Sequence, residues 1–230
     1  MSDHELAARL ATEAGDLLLG VRSELADGTA EERKAAGDKR SHDFLMAALA
    51  SERPGDAVLS EEGVDDPVRL TAHRVWIVDP LDGTREFSEP PRSDWAVHVA
   101  LVSDGQPVAG SVALPAQGLV LNRVPASVLP PPPPARPRVI VSRSRPPEVA
   151  LHLADAIGGE LVEMGSAGAK VAAVVLGHAE LEPRRRRHQQ HPPLPRPLHP
   201  PGQHRPGHRP TATVVAAHSP GVTPSLPKKL

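Results

Sequence analysis

The sequence predicts an α+β fold of layered sheets and helices in two lobes. Three observations carry this expectation. An apolar stripe of helical period opens the chain, hairpin-linked strands fill its middle, and short strands alternate with helices after a proline-rich break.

Taken in order, Leu6, Leu10, Leu17, Leu18 and Val21 recur at helical spacing and predict an amphipathic helix over 4–25. Residues 26–40 are polar and glycine-bearing and read as a loop, after which Ser41 caps a second helix running to about Glu52. Pro54-Gly55-Asp56 is a turn, Ala57-Val58-Leu59 a short strand, 67–73 a short helix, and Val75-Trp76-Ile77-Val78 a central strand ending at Asp79. After a loop at 80–93 come strands at 95–102, 107–114 and 118–124, with turns at Asp104-Gly105 and Gln117-Gly118. Leu129 to Pro137 reads as a polyproline II linker. A strand at 138–142, a helix at 147–157, a strand at 160–163 and a small-residue helix at 166–177 follow. The expected organisation is an N-terminal α+β lobe over 1–128, the linker over 129–137, an α/β lobe over 138–182 and a disordered basic tail over 183–230.

Charge supports the last boundary. All 28 acidic residues and 17 of the 26 Lys and Arg precede Pro183, while 183–230 holds nine Lys or Arg, six His, twelve Pro and no acid. The formal net charge of -2 therefore describes neither part. Without cysteine there is no disulfide framework and no thiolate metal site. The N-terminus lacks the basic start and apolar run of a signal peptide, and no window is apolar enough to cross a membrane. The expectation is a cytoplasmic protein without a membrane partner.

Two acidic segments carry the chemistry. Leu59-Ser60-Glu61-Glu62-Gly63 and Asp79-Pro80-Leu81-Asp82-Gly83-Thr84 each place carboxylates directly after a short apolar strand. An isolated Asp-Gly is an ordinary turn. A full hexapeptide after a buried strand, with an acidic pair after a second strand, points to a site. Clustered carboxylates repel one another unless a cation sits among them. An all-oxygen set suits Mg²⁺ better than zinc, and two such ions about 4 Å apart clamp both oxygens of a phosphoryl transfer. Gly83 lets the backbone approach a phosphate, Thr84 can orient a water, and Asp38 can take that water's proton through Thr84. An aspartyl-phosphate mechanism of the Asp-x-Asp-Gly-Thr kind is excluded, because Pro80 stands two residues before Asp82. There is no dinucleotide loop of the Gly-x-Gly-x-x-Gly type, and His98 reads as a packed or edge strand residue.

Ser60-Glu61-Glu62, Trp76-Ile77-Val78-Asp79-Pro80-Leu81-Asp82-Gly83-Thr84 and Gly165-Ser166-Ala167-Gly168-Ala169-Lys170 together resemble the inositol monophosphatase superfamily over about 5–180. Within it, Thr84-Arg85-Glu86-Phe87 followed by Trp95-Ala96-Val97-His98 is similar to the CysQ-type bisphosphate nucleotidases. That resemblance implies the layered αβαβα sugar-phosphatase fold and removal of the 3′-phosphate from 3′-phosphoadenosine 5′-phosphate in sulfate assimilation. Inositol and fructose bisphosphate phosphatases share the fold and are the alternative. It further implies Mg²⁺ held by Glu61, Asp79 and the Leu81 carbonyl, and a second ion held by Asp79 and Asp82. Gly83 and Thr84 would hold phosphate oxygens, Asp38 with Thr84 would position the attacking water, and Ser166 and Ala167 would line the substrate pocket. Glu61, Asp38 and Thr84 make up the catalytic set. A small phosphate ester is the implied partner, and a homodimer is compatible with the family.

The superfamily places a Trp-Asp pair about twenty residues beyond the Gly-Ser-Ala motif, whereas this chain has no Trp after Trp95 and no Asp after Asp155. The C-terminal lobe therefore reads as incomplete, with weak turnover or a binding remnant as the expected consequence. A shifted reading frame near Glu180 to Glu182 accounts for the abrupt change, and a genuine disordered tail is the alternative. Arg184 to Arg187 has no aromatic residue beside it for base stacking, so no nucleic-acid partner is expected.

Overall fold

The computed structural model describes residues 1–122 and 136–179. Most of the expected linker and all of the expected tail lie outside those residues. Among the described residues no helix is long and apolar enough to cross a membrane.

Helix α1, Asp3–Glu24, starts from a capping box in which the Glu5 amide donates to Ser2 Oγ and the Ser2 amide donates to Glu5 Oε2. Its buried stripe is Leu6, Leu10, Ala14, Leu18 and Val21. Helix α2 spans Ala30–Glu52, so most of the expected loop at 26–40 is helical. The signal passed over is a second capping box: the Glu32 amide donates to Thr29 Oγ1, and the Thr29 amide to Glu32 Oε2. Ser41 consequently lies inside the helix, buried, and its hydroxyl donates to the Pro80 carbonyl at 2.7 Å.

Five strands form one sheet in the order β1-β2-β3-β4-β5. They are β1 Ala57–Ser60, β2 Arg74–Asp82, β3 Ala96–Ser103, β4 Gln106–Leu114 and β5 Leu119–Asn122. β1 runs parallel to β2 and the other pairs are antiparallel. Between β2 and β3 the expected loop contains a short helix, α3, Thr84–Ser88. The turn at Asp104-Gly105 has both residues at positive φ, 48° and 75°, as a two-residue hairpin requires. A second sheet pairs β6, Arg138–Ser142, parallel with β7, Glu160–Met164, joined through α4, Glu148–Ala156. Helix α5, Ala167–Val175, follows β7.

Strand alternation assigns the faces. Trp76, Val78, Val97, Val99 and Leu101 pack with Leu6, Leu10, Leu18, Leu45 and Leu49 of α1 and α2. Ala96 and Leu114 pack with Ala169 and Ala172 of α5. Ala173 of α5 meets Ile140 of β6, and Val139 and Val141 on that strand's other face meet Ala150 and Ala154 of α4. The layers therefore run helix, sheet, helix, sheet, helix, the αβαβα order expected. Burying each Leu or Trp of the first layer is worth about 1.5–3 kcal/mol, and Trp76 also donates its Nε1–H to Asp56 at 2.8 Å.

Glycines in the two long helices separate close packing from helix propensity. A Cβ on Gly37 would stand 2.7 Å from Phe87 and 2.9 Å from Leu81, while one on Gly20 would meet nothing within 4 Å. Gly20→Ala should stabilise by about 0.5–1 kcal/mol. Gly37→Ala should destabilise by about 1–3 kcal/mol despite the same propensity gain. Paired urea denaturation of the two variants checks both signs.

Candidate metal centre

The site is built on an irregularity at the end of β2. Asp79 pairs with His98, and three residues later Asp82 pairs with Ala96, only two residues back along β3. The extra residue at Pro80-Leu81 is a bulge. In a regular strand, residues three apart face opposite sides of the sheet. Here both carboxylates turn to the face covered by α5, the face that also carries Ala96 and His98. Ligand atoms of Asp79, Asp82 and His98 all lie within 4.8 Å of one another. The Leu81 amide donates to Asp79 Oδ1 at 3.2 Å, which fixes the turn of the bulge.

Parallel pairing sets Ser60 opposite Val78, and the Glu61 amide continues the ladder by donating to the Val78 carbonyl at 3.2 Å. Glu61 thus stands beside Asp79 at the strand ends, and their side chains meet. Burial first, then repulsion from Asp82 and Glu61, pushes the Asp79 carboxyl up to about 8. Asp82 behaves oppositely. Burial pushes it up as well, but hydrogen bonds from His98, the Gly168 amide and the Ser166 hydroxyl outweigh burial and hold it at about 2.

Those donors come from α5. Ser166 is its N-cap: Oγ accepts from the Ala169 amide at 2.9 Å and donates to Asp82 Oδ2 at 2.7 Å. The Gly168 amide reaches Asp82 Oδ2 at 2.5 Å, the Ala167 amide reaches Oδ1 at 3.2 Å, and His98 Nε2 lies 3.1 Å from Oδ2. A helix N-terminus is a natural anion site, and here the chain's own carboxylate occupies it. Close approach is essential. A Cβ on Gly168 would lie 2.2 Å from His98, and one on Gly83, at φ 87°, would lie 2.8 Å from Ser166 Cβ.

On the other flank, Thr84 Oγ1 lies 3.2 Å from Asp38 Oδ1 and 3.1 Å from the Leu81 carbonyl. One hydroxyl proton serves only one acceptor at a time. Burial and then Glu62 raise the Asp38 carboxyl to about 6, opposed by the Thr84 hydrogen bond. The structure therefore gathers Asp38, Glu61, Asp79, Leu81, Asp82, Gly83 and Thr84 around the end of β2. It brings Ser166 and Ala167 onto Asp82 from the far side. Sequence reasoning read His98 as a packed or edge strand histidine and not as part of the site. Strand alternation, which sets it opposite Val97 and Val99 and on the side of Ala96, was the signal that places it with Asp79 and Asp82. Carboxylate oxygens crowded enough to raise Asp79, with an imidazole nitrogen at the edge, fit a divalent cation.

Residues 3–128 match the model of the inositol monophosphatase family. A 3′-phosphoadenosine 5′-phosphate phosphatase of Mycobacterium leprae is 46% identical over 192 residues, covering 78% of this chain and 71% of the relative. One of the same name from Mycobacterium bovis is 48% identical over 176 residues, covering 73% and 66%. The chain thus spans about two thirds of the length of these curated relatives. The crystal structure of CysQ from Bacteroides thetaiotaomicron, described as a bacterial member of the inositol monophosphatase family, superposes with a TM-score of 0.61 at 27% identity over 78% of each chain.

The raised Asp79 has a consequence for pH. Between its ordinary 3.8 and about 8 the folded protein keeps a proton that the unfolded chain has released. Stability of the metal-free protein therefore falls as pH rises through that interval. A cation binds the ionised form, so its affinity rises with pH over the same range. Thermal denaturation from roughly pH 5 to pH 8 should show the metal-free midpoint declining and the increment from added Mg²⁺ growing. Asp79→Asn should flatten both trends relative to wild type.

Proposed function

The chain belongs to the inositol monophosphatase family, and we propose that it is a Mg²⁺-dependent phosphomonoesterase removing the 3′-phosphate of 3′-phosphoadenosine 5′-phosphate to leave AMP. The observation that carries the reading is the Thr84 hydroxyl, set between Asp38 and the Leu81 carbonyl directly beside the convergent carboxylates. The two mycobacterial phosphatases support the choice of substrate.

Glu61, Asp79 and the Leu81 carbonyl would hold one Mg²⁺, and Asp79 with Asp82 a second. Bound there, Mg²⁺ supplies Lewis-acid stabilisation of charge on the phosphoryl oxygens. The chain's own residues do the rest. With its hydroxyl proton donated to Asp38, Thr84 Oγ1 presents a lone pair to a water facing the phosphorus. As that water adds, its proton passes to Thr84 while the Thr84 proton passes to Asp38. The bond from phosphorus to the ribose 3′-oxygen breaks, and that oxygen takes a proton from solvent water as AMP leaves. An acceptor raised to about 6 suits a proton transfer near neutrality. Gly83 and Thr84, at the start of α3, would hold the phosphate oxygens. Ser166 and Ala167 frame the substrate while holding Asp82 in place. A cytoplasmic location and a place in sulfate assimilation belong to the same proposal, as does a homodimer.

Phosphate release from 3′-phosphoadenosine 5′-phosphate and from inositol 1-phosphate, each with Mg²⁺, tests the reading. The nucleotide should be the faster substrate; faster inositol phosphate hydrolysis would transfer the chain to the other branch, and no release from either would falsify the proposal. Asp38→Asn should lower kcat by about 10²–10⁴ while the Mg²⁺-induced rise in melting temperature persists.

A further inference from the structure

We propose that His42 relays to solvent the proton that Asp38 takes up, acting as a positioning residue through Asp38. The inference rests on the hydrolytic reading above, in which Asp38 must lose a proton in every cycle.

Asp38 and His42 are one turn apart on α2, so their side chains share a face of the helix. Both line a cavity of about 440 Å³ together with Ala35, Lys39, Asp43 and Glu62. At the inner end, Asp38 Oδ1 holds the Thr84 hydroxyl. At the mouth, Lys39 and Asp43 pair at 2.6 Å with side chains 75% and 57% exposed, so the cavity opens to solvent. Such a space, lined by four charged groups and an imidazole, has the volume and polarity to hold water.

The imidazole is held in a fixed orientation. His42 Nδ1 lies 2.9 Å from the hydroxyl of Ser60, a buried residue at the end of β1. Gly63 packs against the ring so closely that a Cβ there would stand 3.2 Å from His42 Cε1. With Nδ1 committed to Ser60, Nε2 is the nitrogen left for proton exchange. Asp38 lies on its own helix beside Lys39 and Asp43, and Glu62 faces the same space from the loop after β1. Of these side chains the imidazole is the one with two ring nitrogens, so one can exchange a proton while the other keeps its hydrogen-bond partner.

The transfer balances simply. The O–H bond formed on Asp38 breaks, a cavity water accepts that proton and gives one of its own to His42 Nε2, and Nε2 returns a proton to solvent at the mouth. Asp38 is restored as an anion, and nothing is oxidised or reduced. The route leads away from the phosphate, so release of the proton does not have to wait for product to leave.

The test is phosphate release from 3′-phosphoadenosine 5′-phosphate near pH 7, in dilute and in concentrated buffer, by wild type and His42→Gln. The glutamine keeps a partner for Ser60 and cannot relay. We expect kcat in dilute buffer to fall about tenfold, less than removal of the group serving the water costs. KM and the Mg²⁺-induced melting shift should stay as in wild type, and added imidazole should restore most of the lost rate. Ser60→Ala, which keeps the imidazole but frees it, should show a smaller loss with the same rescue. A His42→Gln rate equal to wild type, or a loss that no buffer restores, overturns the relay while leaving the hydrolytic reading intact. Absence of turnover by wild type overturns both.

Discussion

Two carboxylates three residues apart on a β-strand do not naturally share a face, and the reactive end of this molecule exists because β2 breaks its own alternation. The bulge at Pro80-Leu81 turns Asp82 to the side of Asp79, opposite α1 and α2. That convergence is electrostatically unfavourable in isolation, and much of the surrounding structure responds to it. Ser41 reaches from the middle of α2 to hold the Pro80 carbonyl, and the Leu81 amide turns back to Asp79. Gly37 allows α2 to lie close enough for these contacts, packed against Leu81 and Phe87.

Neighbours give the two aspartates opposite characters. Asp82 is satisfied internally, because α5 offers a hydroxyl, two amides and its dipole, and His98 completes the set. Asp79 has a single backbone amide and two anionic neighbours, so its charge is left for a cation to balance. This division also ties the layers together. The carboxylate that would bind an ion on one side anchors the helix between the two sheets on the other.

The same helix start is secured from behind. The Gly165 amide donates to Asp94 Oδ2 at 2.7 Å and the Ser166 amide to the Asp94 carbonyl at 3.3 Å. Lys170, nearly buried, donates to the Gly165 and Ser166 carbonyls. Arg143 at the end of β6 pairs at 2.8 Å with both the buried Glu86 and Glu89, fastening the second sheet to the segment that follows the metal loop. The Gly-Ser-Ala segment is therefore a tightly determined backbone whose donors are turned onto Asp82 and Asp94.

The sequence by itself determined the layered α+β class, both acidic segments and their preference for a divalent cation, because strand alternation and residue chemistry are local properties. Glu61, Asp79, Leu81, Asp82, Gly83 and Thr84 were legible as one constellation, since each lies at or beside the end of a readable strand, whereas Asp38, read within a loop, stands inside α2. The start of α2 was misplaced because a polar, glycine-bearing stretch outweighed its capping box, and Gly37, which looked like a loop residue, is there for close packing. Only the tertiary structure decided that His98 belongs with the carboxylates and that Ser166, Ala167 and Gly168 spend their donors on Asp82. Those facts depend on strand register and on contacts between residues 16 to 86 positions apart. No periodicity in the chain encodes them; they arise when two sheets close on a shared helix.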